Sequence, residues 1–237
     1  MTQAAKLSVS HVQAGYGDVQ VLWDISLEVA AGELVCLIGS NGAGKTTFLR
    51  CVSGILPVTA GSILVDGHDM TNASPSAFVK AGIAHVPEGR RLFSAMSVRD
   101  NLLMGAYLRD DREGVAADLD RVYTMFPILA DRRRQDAGTM SGGEQQMLAI
   151  GRALMTNPKL LILDEATEGL APMLRLDIWK CLARLKDEGQ AILIVDKHLS
   201  ALVKLADRHT IIEKGSVVWS GTSAALDQKI VQRYLQV

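Results

Sequence analysis

Residues 39–47 read Gly-Ser-Asn-Gly-Ala-Gly-Lys-Thr-Thr, a full match to the phosphate-binding pattern G-x-x-x-x-G-K-[ST]. The pattern works only as a loop between a buried strand and a helix, so it constrains the fold as well as the ligand. Both neighbours have the required character. Residues 33–38 form a short apolar run of buried-strand type, and residues 46–53 open a helical pattern. Gly39, Gly42 and Gly44 allow backbone conformations closed to residues with a Cβ, so the loop of Gly39, Ser40, Asn41, Gly42, Ala43, Gly44 and Thr47 can turn successive N–H groups onto a β-phosphate. Lys45 is expected to reach the β- and γ-phosphates and the Thr46 hydroxyl to ligate Mg²⁺, which makes ATP with Mg²⁺ the expected cofactor pair. The plainer alternative, a Gly-rich turn that happens to hold a Lys, does not explain the whole pattern in register between strand and helix.

The 237 residues suffice for one α/β domain, or for a core with a smaller attached lobe. The 25 Lys and Arg balance 26 Asp and Glu, so no basic field draws nucleic acid or an anionic membrane. Arg90-Arg91 and Arg132-Arg133-Arg134 read as solvated faces. Cys36, Cys51 and Cys181 are an odd, widely spaced set, as in a reduced cytosolic protein, and no secretory leader is expected ahead of Leu7. No apolar run approaches the roughly 18 residues that a bilayer requires, so a membrane role would come through a partner. The histidines at 11, 68, 85, 198 and 209 show no ligand spacing, which argues against a metal site built by the protein alone.

Along the chain, residues 7–12 and 19–29 alternate as two strands around a turn at Gly15 and Gly17, and residues 62–65 followed by Asp66-Gly67 signal a hairpin. An antiparallel β layer therefore precedes the phosphate loop. Tyr16 stands at that first turn, where its ring could stack on a base or simply pack on its own hairpin. Residues 98–108 and 115–125 have helical spacing and belong to a charged, helical second lobe. Residues 159–164 and 191–196 are buried strands, each ending in an acid, separated by a helix over 173–186 with Leu174, Ile178, Leu182 and Leu185 on one face and Gly189 as its stop. Alternating strands and helices predict a mostly parallel sheet with ligands at the strands' carboxyl ends. The expected organisation is one α/β domain of P-loop NTPase type over residues 1–237, its core made of 1–87 and 158–237 and its helical lobe of 88–157.

Asp164 closes an apolar strand and is followed at once by Glu165, so one acid can hold Mg²⁺ through water while the next positions or deprotonates the attacking water. The second unusual stretch is Met140-Ser-Gly-Gly-Glu-Gln-Gln146, where Ser141 caps a helix and Glu144 stands three residues on, as in a capping box. Gly142 and Gly143 beside the cap would expose backbone N–H groups at a positive helix end, a second place for an anion.

In order and over essentially the whole chain, Tyr16, the phosphate loop, Ser141-Gly-Gly-Glu144 and Leu160-Leu-Ile-Leu-Asp-Glu165 resemble the ATP-binding cassette ATPases. The Ser-Gly-Gly signature is the specific part. The resemblance implies a homo- or heterodimer, joined head to tail, in which Ser141, Gly142, Gly143 and Glu144 of one subunit cap the γ-phosphate held by Lys45 of the other. Val86-Pro-Glu-Gly-Arg-Arg-Leu-Phe93, Thr139-Met-Ser-Gly-Gly-Glu-Gln-Gln-Met147 and Gly169-Leu-Ala-Pro172 are similar to the smaller ATPase subunit of branched-chain amino acid importers. This implies ATP hydrolysis coupled to transport, integral membrane permease subunits, a periplasmic solute-binding protein behind them, and a place on the cytoplasmic face of the membrane. A soluble cassette outside any transporter and a nucleotide-binding regulatory cassette with little turnover are the competing readings.

Four positions depart from the commoner cassette pattern. Glu88 replaces a Gln that senses Mg²⁺ and the attacking water, though Glu is usual in the branched-chain importer subunit; it counts as both a catalytic and a metal-ligand candidate. Ala166 and Ala171 replace a Pro and an Asp. Lys197 stands where most cassettes carry a His, with His198 one residue late, and the period of an extended segment predicts that only one of these two faces the γ-phosphate. The loop over 88–96, with Phe93 and Met96 as apolar anchors, is expected to meet the permease.

Overall fold

The computed structural model describes residues 5–235, and the hydrophobic pattern accounts for most of their course. The long strands β1 (Ala5–Tyr16) and β2 (Val19–Ala30) pair antiparallel across the two-residue turn Gly17-Asp18. They bury Leu7, Val9, Leu27 and Val29 on one face and leave alternating polar residues on the other, as a half-covered sheet requires. The fully buried β3 (Leu34–Ile38) leads through the phosphate loop into α1 (Lys45–Cys51), which starts one residue ahead of the pattern read from the sequence. Next come β4 (Ala60–Val65), the short β5 (His68–Asp69), α2 (Pro75–Ala81) and β6 (Ile83–Val86).

The helical stretch holds α3 (Val98–Gly105), α4 (Arg112–Met125), α5 (Pro127–Asp131) and α6 (Gly142–Leu154). Pro127 explains the break before α5, because its ring fixes φ for a first helical position and supplies no N–H to continue α4. The chain then returns to the sheet with β7 (Leu160–Asp164), α7 (Pro172–Asp187), β8 (Ala191–Val195) and α8 (Leu199–Leu205). It ends in β9 (Arg208–Glu213), β10 (Ser216–Thr222) and α9 (Gln228–Leu235). The last hairpin turns at Lys214-Gly215 and had no counterpart in the reading of the sequence.

All ten strands join in the order β5-β4-β1-β2-β10-β9-β3-β8-β7-β6. Strands β9, β3, β8, β7 and β6 run parallel, while the N-terminal antiparallel strands attach through the pairing of β2 with β10. Alternation along the parallel strands sends Leu161, Leu163, Ile192 and Ile194 to one side and Leu160, Ile162, Leu193 and Val195 to the other. The second side is filled by Phe48 and Leu49 of α1 and by β1 and β2. The first is continuous with Leu102, Leu148 and Ile150 of the helical stretch, so that lobe shares its apolar interior with the sheet. Each such Leu or Ile contributes about 1.5–3 kcal/mol on burial. The practical result is that the carboxyl ends of β3, β8 and β7 are held level, since Leu37 and Asp164 both pair with Val195.

Candidate functional site

At those level ends lies a cavity of about 510 Å³ lined by Lys45, Thr46, Glu88, Glu165, Glu168 and Lys197 together with Gly42 and Gly44 of the phosphate loop. Gly42 and Gly44 have φ of 78° and 107°, and a Cβ on Gly44 would stand 2.7 Å from Leu22 Cδ2, so the loop has this shape only with glycine there. Lys45 Nζ donates to the carbonyls of Gly39 (2.8 Å) and Ser40 (2.9 Å), which parks the ammonium across its own loop. Burial lowers its pKa, opposed by the charges of Glu165 and Asp164.

Asp164 is 2% exposed, and neither carboxylate oxygen has a hydrogen-bond partner among the described residues. Burial raises its pKa and Glu88 adds to the rise, while Thr46, Lys45 and Arg50 pull the other way. A buried carboxylate left without donors is costly unless a cation meets it. With the Thr46 hydroxyl beside it, an all-oxygen donor set suits Mg²⁺.

Glu165 has φ of 51°, a left-handed conformation uncommon for a residue with a side chain, and its N–H donates to Val195 O at 2.8 Å. The kink carries its side chain off the line of β7 into the cavity. Its pKa is raised to about 7, first by the hydrogen bond with Glu168, then by burial and by the Glu168 charge, with Lys197 offsetting part. Glu168 is correspondingly held low by Glu165 and Lys197. Carboxylate oxygens of Glu88, Glu165 and Glu168 lie within 4.8 Å of one another, and Lys197 Nζ stands 2.5 Å from Glu168 Oε1 and 3.3 Å from Glu165 Oε2.

The register expected of residues 197 and 198 appears in the contacts. Lys197 lines the cavity, whereas His198 turns away: Nδ1 donates to Asp196 Oδ1 (2.8 Å) and Nε2 accepts from Arg175. Asp196 is itself buried and accepts from Thr167 N (3.0 Å), Thr167 Oγ1 (2.7 Å) and His198 N (3.0 Å). It ties the turn after β7 to the end of β8. The sequence marked Asp196 only as a strand-end acid and did not single out Thr167, Glu168 or Arg175, because their partners are distant in the chain.

Within one chain the signature residues do not line the Lys45 cavity. They open α6, where Ser141 N donates to Glu144 Oε2 (2.9 Å), Ser141 Oγ accepts from Glu144 N, and Arg132 Nη1 donates to the same carboxylate at 3.1 Å. The capping box is therefore complete, and the Glu144 carboxylate is committed to it. Gly143 packs under Leu174 of α7, whose Cδ1 would stand 2.2 Å from a Cβ there. The Arg90 guanidinium lies over Gly142 and donates to Gln145 Oε1 (3.2 Å). Arg90 and Arg132 are thus engaged side chains rather than the purely solvated faces expected. Tyr16 is half-exposed, its hydroxyl accepting from Arg50 Nη1 (2.9 Å) and its ring beneath that guanidinium. It does not line the cavity.

A separate groove of about 400 Å³, where the helical lobe meets α2 and β6, presents Phe93, Met104, Tyr107 and Leu108 beside Arg91 and Arg152. Phe93 is 47% exposed and carries the Arg152 guanidinium 5.4 Å over its ring, so it is no core residue. Met96 is not among the groove residues; it is half-buried, and its carbonyl is taken by Ala137 N and Asn101 Nδ2. Between groove and phosphate cavity lies a smaller space lined by His85, Glu88, Arg91 and Asp164. No described helix is long and apolar enough to cross a membrane, and the three cysteines are buried and free.

Comparison with known proteins matches residues 22–168 to the family described as ABC transporter. The chain is 45% identical, over 97% of its length and 99% of the relative's, to the high-affinity branched-chain amino acid transport ATP-binding protein BraG of Pseudomonas aeruginosa. It is 33% identical to the lipopolysaccharide export system ATP-binding protein LptB of Escherichia coli K12, covering 98% of this chain and 97% of that one. Among solved structures, the ADP conformation of MJ1267, an ATP-binding cassette of an ABC transporter, superposes with a TM-score of 0.86 at 26% identity, covering 98% and 99% of the two chains.

Proposed function

The chain belongs to the ABC transporter family as one of its ATPases, and we propose that it powers uptake of branched-chain amino acids through a membrane permease to which it binds as a peripheral subunit. The observation that carries the chemistry is the meeting of Lys45, Thr46, Glu165 and Lys197 in one cavity above an unpartnered, buried Asp164. In this reading Lys45 binds the β- and γ-phosphates, and Glu165 accepts the proton of the attacking water, or orients it, a task suited to a carboxylate titrating near neutrality. Lys197 supplies a fixed positive charge to the transferring phosphoryl group; an ammonium cannot exchange protons near pH 7 as an imidazole does. Asp164 and Thr46 would hold Mg²⁺, with Glu88 across the cavity; when bound, the ion neutralises charge on the β- and γ-phosphate oxygens.

The remaining roles follow from the family. Ser141, Gly142 and Gly143 of a second cassette, identical or related, cap the γ-phosphate, and Glu144 keeps that helix end in shape. Tyr16 offers its exposed ring to the base. The Phe93 groove receives the permease, and residues 85–91, which run from groove to cavity, carry the effect of one on the other. The solute rests on the relative at 45% identity, because the solute itself is read by partner chains. Cells lacking this chain should lose saturable uptake of labelled leucine, isoleucine and valine and regain it with the wild-type chain but not with Glu165→Gln. Unimpaired uptake in the deletion strain would refute the proposal.

A further inference from the structure

We propose that Glu168 is a positioning residue for hydrolysis, holding the Lys197 ammonium over the phosphate cavity and off Glu165. The proposal rests on the reading of Lys197 as a charge clamp. The turn after β7 is closed by the Glu168 N–H to Glu165 O (3.2 Å) and anchored by Thr167, whose N and Oγ1 both bond the buried Asp196. That anchoring fixes the Glu168 backbone, so its side chain returns to the side on which Glu165 stands. Lys197 leaves the end of the neighbouring strand β8 and meets both acids.

The two contacts are unequal: 2.5 Å to Glu168 and 3.3 Å to Glu165. An ammonium has three donors, so the nearer pairing leaves others to reach a phosphoryl oxygen. It also keeps the cation from closing fully on Glu165, whose lone pairs a water must share. A free Lys side chain carries large rotamer entropy, and tethering it to Glu168 orders it before nucleotide arrives. The pair is half exposed, with side chains 50% and 45% accessible, so it adds little to folding stability. Its consequence lies in where the ammonium sits. Without Glu168, Lys197 collapses onto Glu165, and the base and the clamp are lost together.

A double-mutant cycle on the complex isolated from its native membrane tests this. Glu168→Ala should lower kcat about five- to tenfold, with KM for ATP and Tm near wild type, and should cost nothing further, or restore some rate, in a Lys197→Ala background. An equal fold-loss from Glu168→Ala in both backgrounds would overturn the inference, as would a wild-type rate in the single variant. A wild-type rate in Lys197→Ala would remove the clamp reading and this inference with it. A slow Lys197→Ala beside a normal Glu168→Ala would leave the clamp and refute the tether.

Discussion

Lys45 and Glu165 share a cavity yet should fail in different ways. The Lys45 ammonium rests on the Gly39 and Ser40 carbonyls, ready to exchange those bonds for phosphate oxygens, and no other loop side chain brings a charge to that spot. Lys45→Ala should therefore lose ATP affinity by about tenfold or more, the loss of a charge-assisted contact. Glu165→Gln keeps the size and removes the proposed base, so it should bind ATP as wild type and turn over at least about a hundredfold more slowly. Titration calorimetry beside steady-state hydrolysis separates the two, and equal loss of binding in both would sink the assignment. At this scale the motif residues were legible, since local spacing alone marks Lys45, Thr46, Asp164 and Glu165. The left-handed backbone of Glu165, the Asp196 tie and the Glu168 contact were not, because each is set by a neighbouring strand.

The loop after β6 shows how an element prepares a surface. Asn101 of α3 is fully buried; its Oδ1 accepts from Phe93 N, and its Nδ2 donates to the carbonyls of Phe93, Met96 and Ser97. With the backbone so held, Phe93 can stand exposed without loosening the lobe. Phe93→Ala should leave Tm and the ATPase rate of the isolated chain unchanged and abolish stimulation by the permease. A drop in Tm with normal stimulation would return Phe93 to a packing role.

Strand β6 also carries a pH dependence. His85 Nδ1 donates to Ser53 Oγ, which itself donates to Leu49 O, while His85 Nε2 is buried without a partner. Burial, aided by the charge of Arg50, lowers the His85 pKa from 6.5 to about 4. Below pH 6.5 the unfolded chain takes up a proton that the folded chain refuses until about 4. The stabilisation is thus whole above 6.5 and is lost as pH falls through that window, on the order of 3 kcal/mol in all. Urea unfolding at pH 7.5 and pH 5 should show the loss, and His85→Gln should flatten it; parallel slopes would contradict the assignment. Many of the strands and helices followed from periodicity, but α2, β6, α8, α9 and the β9–β10 hairpin were not among them; the hairpin's place beside β2 and β3 is a long-range pairing.

Across the whole molecule, the phosphate loop and the signature belong to one chain but not to one cavity. The sheet carries Lys45, Asp164, Glu165 and Lys197 at its level strand ends, whereas Ser141 opens α6 on the other lobe, where Gly143 packs under Leu174 of α7. A signature helix capped, glycine-packed and turned from its own nucleotide site calls for a second copy or a close relative. We propose that two such half-sites complete each other over the γ-phosphate. Sedimentation of the Glu165→Gln chain tests it most directly, since this variant should bind ATP without consuming it. A dimer is expected with saturating ATP and Mg²⁺ and a monomer with ADP; a chain that stays monomeric with ATP, or dimerises equally with ADP, would refute the pairing.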